Sequence, residues 1–199
     1  MALPLTRRRF TVAEYYQMAE AGILTEDDRV ELLDGEVVWM SPIGTRHAAA
    51  VKRCNRVFAR RVAERVLLGI QDPVDLDPYD EPQPDVALLR PSPDDYANRH
   101  PGPADILLLV EVADSSLGPD RRRKLPLYAR AGVREAWLLD LEGDALEAYR
   151  EPRDDGYALV RRYRRGERVA PEALPDVEVA VEDLLPPASE VAAGASAEV

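Results

Sequence analysis

Residues 106–140 read ILLLVEVADSSLGPDRRRKLPLYARAGVREAWLLD, and this stretch decides the fold class. Ile106 to Val112 is an almost unbroken run of Leu, Ile and Val between chain breakers. Such a run predicts a central strand buried on both faces. A helix is expected over roughly Arg122 to Ala131, ended by Gly132. Pro126 lacks an N–H and fits best in a first helical turn, so the regular helix is expected from about Arg123, with Asp120 in the lead-in. Glu135 to Leu139 then reads as a second buried strand.

The flanking sequence extends this into an α/β domain. Thr11-Val-Ala-Glu14 has the form of a capping box, and Val12, Tyr15, Tyr16, Met18 and Ala19 follow at helical spacing until Gly22. Arg29 to Leu33 and Glu36 to Met40 flank Asp34-Gly35, the signature of a two-residue hairpin with a type I′ turn. A long helix is expected over about Thr45 to Val66, with Ala50, Val51, Cys54, Val57, Phe58, Val62 and Val66 as one apolar stripe. Short strands are expected at Val74–Leu76 and Asp85–Leu89, outer strands at Ala145–Arg150 and Tyr157–Tyr163, and a last helix near Val181–Leu185. The order predicts a mixed sheet with the long helix packed on one side. Trp39, Trp137 and Tyr149 are assigned to packing.

Composition sets the outer limits. At 199 residues and 46% hydrophobic, the chain suits one globular domain. No run approaches the ~18 apolar residues of a membrane span. The opening MALPLTRRRF lacks the pattern of a secretory leader, so a cytoplasmic setting is expected. The single cysteine, Cys54, excludes a disulfide framework and a Cys-rich zinc site. The net charge of −11 argues against coating nucleic acid by charge alone. That charge is uneven: +2 over residues 1–70, −10 over 71–120, +4 over 121–168 and −7 beyond. An acidic middle beside a basic segment fits a metal site next to an anion-binding surface, and equally fits solvated loops of opposite sign.

Two carboxylates carry the candidate chemistry. Asp85 heads a strand after Pro84, and Glu111 sits at the end of the apolar run. A carboxylate there is costly unless paired or bound to a cation. On neighbouring strands the two could hold a hard divalent cation. They could equally mark a capped turn and a wet strand end. Glu31 reads either as a further ligand or as an exposed strand residue. His47, at the head of the long helix, reads as a water- or phosphate-orienting imidazole or as a structural one. Arg53, Arg56 and Arg60 form a basic helix face that suits a phosphate backbone or simple solubility. The chain has 24 arginines and two lysines, Lys52 and Lys124, so a lysine inside Arg121-Arg-Arg-Lys124 invites a chemical reason.

Several stretches together resemble one family. They are VELLDGEV (Val30–Val37), Met40-Ser-Pro42, His47, Gln83-Pro-Asp-Val86 and the long segment from Val110 to Asp140. The chain from about Phe10 to Leu185 resembles the Uma-two restriction-endonuclease family of the PD-(D/E)XK nuclease superfamily. The resemblance implies one restriction-endonuclease-like α/β domain over 1–185, with a helix and hairpin at 10–42, a nuclease core at 43–165, and a disordered tail at 186–199. It implies hydrolysis of DNA with Mg²⁺ or Mn²⁺ held by Asp85, Glu111 and the Val112 carbonyl, with Glu31 as a possible addition. The superfamily lysine two residues after the glutamate is replaced here by Ala113. Lys124 is expected to take its place as base or charge stabiliser. Asp120, Tyr128 and His47 are possible accessories, and Arg121, Arg122 and Arg123 are candidate phosphate contacts. A homodimer is expected, because cutting two strands favours two sites. Two rival readings are a non-catalytic binding module that keeps the fold, and a metal-dependent hydrolase of another substrate.

Overall fold

A computed structural model describes residues 7–25, 27–114 and 118–187, and only the backbone of residues 118–122. The expected tail at 186–199 falls almost entirely outside the described residues.

The element order is α1 (Val12–Glu20), β1 (Val30–Leu33), β2 (Glu36–Trp39), α2 (Thr45–Val62), β3 (Leu67–Gly69), β4 (Val86–Leu89), β5 (Ile106–Ala113), α3 (Gly118–Arg130), β6 (Glu135–Asp140), β7 (Ala145–Arg153), β8 (Gly156–Arg164), β9 (Arg168–Val169), β10 (Val179–Ala180) and α4 (Val181–Leu184). The main sheet has six strands in the order β3-β4-β5-β6-β7-β8. Among the described residues β5 and β6 alone pair in parallel; α3 supplies the crossover that such a pair needs.

The sheet is covered on both faces, which is why β5 reads as continuous apolar sequence. Val86, Leu88, Leu108, Val110 and Val112 face the α2 stripe of Ala50, Cys54, Phe58 and Val62, with Val181 and Leu184 of α4 beside it. Ala87, Leu89 and Leu109 face Leu125, Leu127 and Tyr128 of α3. Burial pushes the Cys54 thiol up to about 12, so it stays a protonated packing group.

The hairpin β1–β2 forms its own two-stranded sheet. Asp34 and Gly35 both have positive φ (57° and 72°), as the type I′ turn demands. Gly35 is fixed further by close approach: an added Cβ would lie 2.6 Å from the Arg9 Cβ. The capping box of α1 forms as expected between Thr11 and Glu14.

Four features depart from the sequence expectation. Val74–Leu76 is not a strand; the edge strand is Leu67–Gly69. The long helix stops at Val62, where Ala63 takes φ +47° and a 3₁₀ turn follows. The helix α3 starts at Gly118 and carries Pro126 inside it, so Asp120 lies within the helix rather than ahead of it. Pro126 is exposed while Leu125, Leu127 and Tyr128 are buried, so core packing outweighs the one lost backbone hydrogen bond. Trp39 is not packed: it is 68% exposed.

Candidate active site

Antiparallel pairing aligns Val86 of β4 with Val110 of β5, and one step further the same register sets Asp85 opposite Glu111. Glu111, between the α2-facing Val110 and Val112, therefore leaves the α3 face of the sheet, whereas Asp85 lies just ahead of β4 and is also reached from α2 by His47. Two residues of α3 one turn apart, Lys124 and Tyr128, point back at Glu111. Glu31 of the hairpin closes the group. Glu31, Asp85, Glu111 and Lys124 are each no more than 5% exposed.

The contacts tie Lys124 to Glu31 and Glu111, and Asp85 joins the group through the backbone of Val112. The Lys124 ammonium lies 2.8 Å from Glu31 Oε2 and 3.6 Å from Glu111 Oε1, and it donates to the Gln83 carbonyl at 2.9 Å. The Tyr128 hydroxyl donates to Glu111 Oε1 at 2.5 Å. Glu31 Oε2 also accepts from the Gln83 amide at 3.0 Å. Asp85 Oδ2 accepts from the Val112 amide at 2.8 Å, and Oδ1 from the Gln71 side chain at 3.3 Å. Val112 thus meets Asp85 through its N–H.

Electrostatics decide the protonation of this buried cluster. Burial alone would strip the Lys124 proton, but Glu111, Glu31 and Asp85 together outweigh it and raise its pKa. Lys124 is an ammonium in the absence of other cations. Burial, then the charge of Glu111, holds the Tyr128 phenol far above its ordinary range, so it remains a donor.

His47 is fully buried in the first turn of α2. Its Nε2 lies 2.9 Å from Asp85 Oδ1, yet neither ring nitrogen has an aligned hydrogen-bond partner among the described residues. The imidazole packs behind Asp85, outside the set of residues that line the cavity in front.

That cavity measures about 40 Å³ and opens to solvent. Glu31, Gln71, Gln83, Asp85, Glu111 and Lys124 form its floor, and Arg29, Trp39, Met40 and Ile43 are among the residues at its rim. Its size suits a few waters or an ion with waters. Among the described residues no three carboxylate or imidazole side chains stand close enough to form a ready-made metal cage; the Lys124 ammonium lies between Glu31 and Glu111. The donor chemistry nevertheless fits a hard divalent cation. Three carboxylates against one ammonium leave two formal negative charges, and all the donors are oxygens.

The other sequence candidates fare differently. Side chains of Asp120, Arg121 and Arg122 lie outside the described residues. Arg123 is ion-paired at 2.8 Å to Glu36 of the hairpin. Arg53 donates to the Asp183 and Glu182 carbonyls of α4, so part of the basic face of α2 holds the C-terminal helix. Sequence reasoning gave no role to the side chain of Gln71 or the backbone of Gln83, and did not place Arg29 at the cavity. Their roles come from chain crossings that no local pattern encodes, although Gln83 stands two residues before Asp85.

The fold and this group of acids define the class: a restriction-endonuclease-like α/β domain with a buried carboxylate–lysine site. A model of the Uma2 family, described as "Putative restriction endonuclease", matches residues 12–182, and the chain belongs to that family. A crystal structure from Anabaena variabilis, described as a "putative nuclease belonging to DUF820", superposes with a TM-score of 0.70 at 15% identity, covering 88% of this chain and 97% of that one. No curated protein matches the sequence. Among the described residues no helix is long and apolar enough to cross a membrane.

Proposed function

We propose that the chain is a Mg²⁺- or Mn²⁺-dependent endonuclease that hydrolyses DNA phosphodiester bonds at the Glu31–Asp85–Glu111–Lys124 pocket. The observation that carries this reading is the burial of three carboxylates and one ammonium around a cavity that opens to solvent. Buried ion clusters contribute little to stability against apolar packing of the same volume, so this one calls for a functional reason.

Asp85 and Glu111 would hold the cation, while Glu31 pairs with the Lys124 ammonium at 2.8 Å. A bound divalent ion lowers the pKa of a water and offsets charge on the phosphate. The protein's own groups do the rest. The Val112 amide and Gln71 orient Asp85, and the Tyr128 hydroxyl orients Glu111. Lys124, anchored by the Gln83 carbonyl, serves as the charge stabiliser for the phosphate oxygens. It approaches from α3, in place of the strand position that Ala113 leaves empty of charge. A homodimer would bring two such sites to one duplex.

The test is incubation of supercoiled plasmid with wild type, Glu111→Gln and Lys124→Met, with Mn²⁺ and with chelator. Nicking by wild type that chelator and Glu111→Gln abolish is the expected result. A Lys124→Met variant that folds and cuts as wild type would refute the role given to Lys124. A second reading, a binding module without turnover, draws on Ala113. It predicts plasmid retention in gel shifts with no cleavage under any metal.

A further inference from the structure

The helix α2 carries six cations, Arg46, Lys52, Arg53, Arg56, Arg60 and Arg61, and no carboxylate within its 18 residues. It does so in a chain whose net charge is −11. Three of the six are engaged by backbone carbonyls: Arg46 by Leu141, Arg53 by Asp183 and Glu182, and Arg61 by Glu178. Lys52, Arg56 and Arg60 are exposed and have no hydrogen-bond or ion-pair partner among the described residues. They stand four residues apart, so they form one row along the helix with about 6 Å between steps. Ala50, Cys54, Phe58 and Val62 occupy the other side of the helix, against the sheet.

Such a row works against the helix that carries it, because like charges four residues apart repel. The negative end of the helix dipole offsets this for Arg60, but Lys52 and Arg56 stand in the middle of the helix. Solubility does not call for a single sign either, since the chain already carries 37 acidic side chains. A row of one sign at an even step favours a polyanion with charge at every repeat. A nucleic-acid strand is such a polyanion, with one charge on every nucleotide. Beside the row a groove of about 320 Å³ runs between Arg53, Arg56, Arg60 and Arg61, with Asp183 3.9 Å from Arg61. It has room for a phosphate group with its waters.

We propose that the outer face of α2 binds the sugar-phosphate backbone of nucleic acid, with Lys52, Arg56 and Arg60 each meeting one phosphate. This contact lies outside the cavity at Glu111. His47 of the same helix meets Asp85 from the buried side, while the row points the opposite way. It supplies affinity without reading bases, because phosphates carry no sequence. This inference rests on the nucleic-acid reading above and adds a second surface of contact to it.

The test is anisotropy of a labelled short DNA duplex, without metal, over a range of salt. The proteins are wild type, Arg56→Gln alone, and the triple variant Lys52→Gln, Arg56→Gln, Arg60→Gln. A control triple variant, Arg8→Gln, Arg99→Gln, Arg153→Gln, changes the net charge equally at arginines that pair with Glu14, Asp105 and Glu151. Wild type is expected to bind with an affinity that falls steeply with salt. The slope of log K against log salt should become shallower by roughly 2.7 in the α2 triple variant and by roughly 0.9 in Arg56→Gln. At ~0.1 M salt the triple variant should bind roughly a hundredfold more weakly or worse. No binding by wild type, an unchanged slope in the α2 variants, an equal loss in the control, or equally tight binding of polyglutamate would each overturn the proposal. Mn²⁺ binding at Asp85 and plasmid nicking report separately on the nuclease reading, which stands or falls without this row.

Discussion

Replacing Lys124 by methionine removes the only cation of the buried site described here while keeping the length of the side chain. The ammonium faces Glu31 at 2.8 Å and Glu111 at 3.6 Å. At an effective dielectric of ~20, these pairs are worth about 6 and 5 kcal/mol before desolvation. Desolvation takes back most of that, but removing one partner leaves two buried carboxylates uncompensated, and such breaks cost about 3–5 kcal/mol. Because the Lys124 pKa is raised above its ordinary 10.5, its stabilisation is fully present from neutral pH up to about that value and fades only as pH climbs through the folded pKa. Urea unfolding at neutral pH, followed by Trp137 emission, should therefore show a loss of about 3–5 kcal/mol. Added Mn²⁺ should restore part of it, about 2.7 kcal/mol at a hundredfold excess over its Kd. A variant as stable as wild type without metal would refute the electrostatic argument.

Other perturbations act away from the pocket. Burial lifts the Glu81 carboxyl to about 7, against a hydrogen bond from the Tyr16 hydroxyl that pulls it down. Its raised folded pKa means stability falls as pH rises from about 4.5 to 7 and then levels; Glu81→Gln should remove that slope, worth about 2 kcal/mol once partial solvation is allowed for, in thermal melts across the range. Gly35→Ala places a Cβ 2.6 Å from Arg9 at positive φ, and should cost at least about 1 kcal/mol in chemical denaturation. Phe58→Ala empties the contact between α2 and Trp137, whose rings lie 6.0 Å apart, and should cost about 3–5 kcal/mol by the same measurement.

Much of this architecture is legible in the sequence because it is local. The β5 run, the Asp34-Gly35 turn, the α1 capping box and the α2 stripe each encode their element within a few residues. Asp85 and Glu111 stand out because a carboxylate beside an apolar run is costly. Lys124 stands out because lysine is rare here. What stayed hidden depends on distant partners. Pro126 reads as a helix start, yet tertiary packing of its neighbours carries the helix through it. Glu31 reads as an exposed strand residue or a ligand with equal ease, since its burial is created by Lys124, 93 positions away. Trp39 reads as core, because composition cannot say that its strand ends at an open rim.

The central claim is that Asp85 and Glu111 hold a divalent cation at this pocket. Isothermal titration of Mn²⁺ into wild type and Asp85→Ala tests it without any assumption about substrate. The account predicts saturable binding to wild type that disappears in Asp85→Ala. Equal binding to both proteins would contradict it.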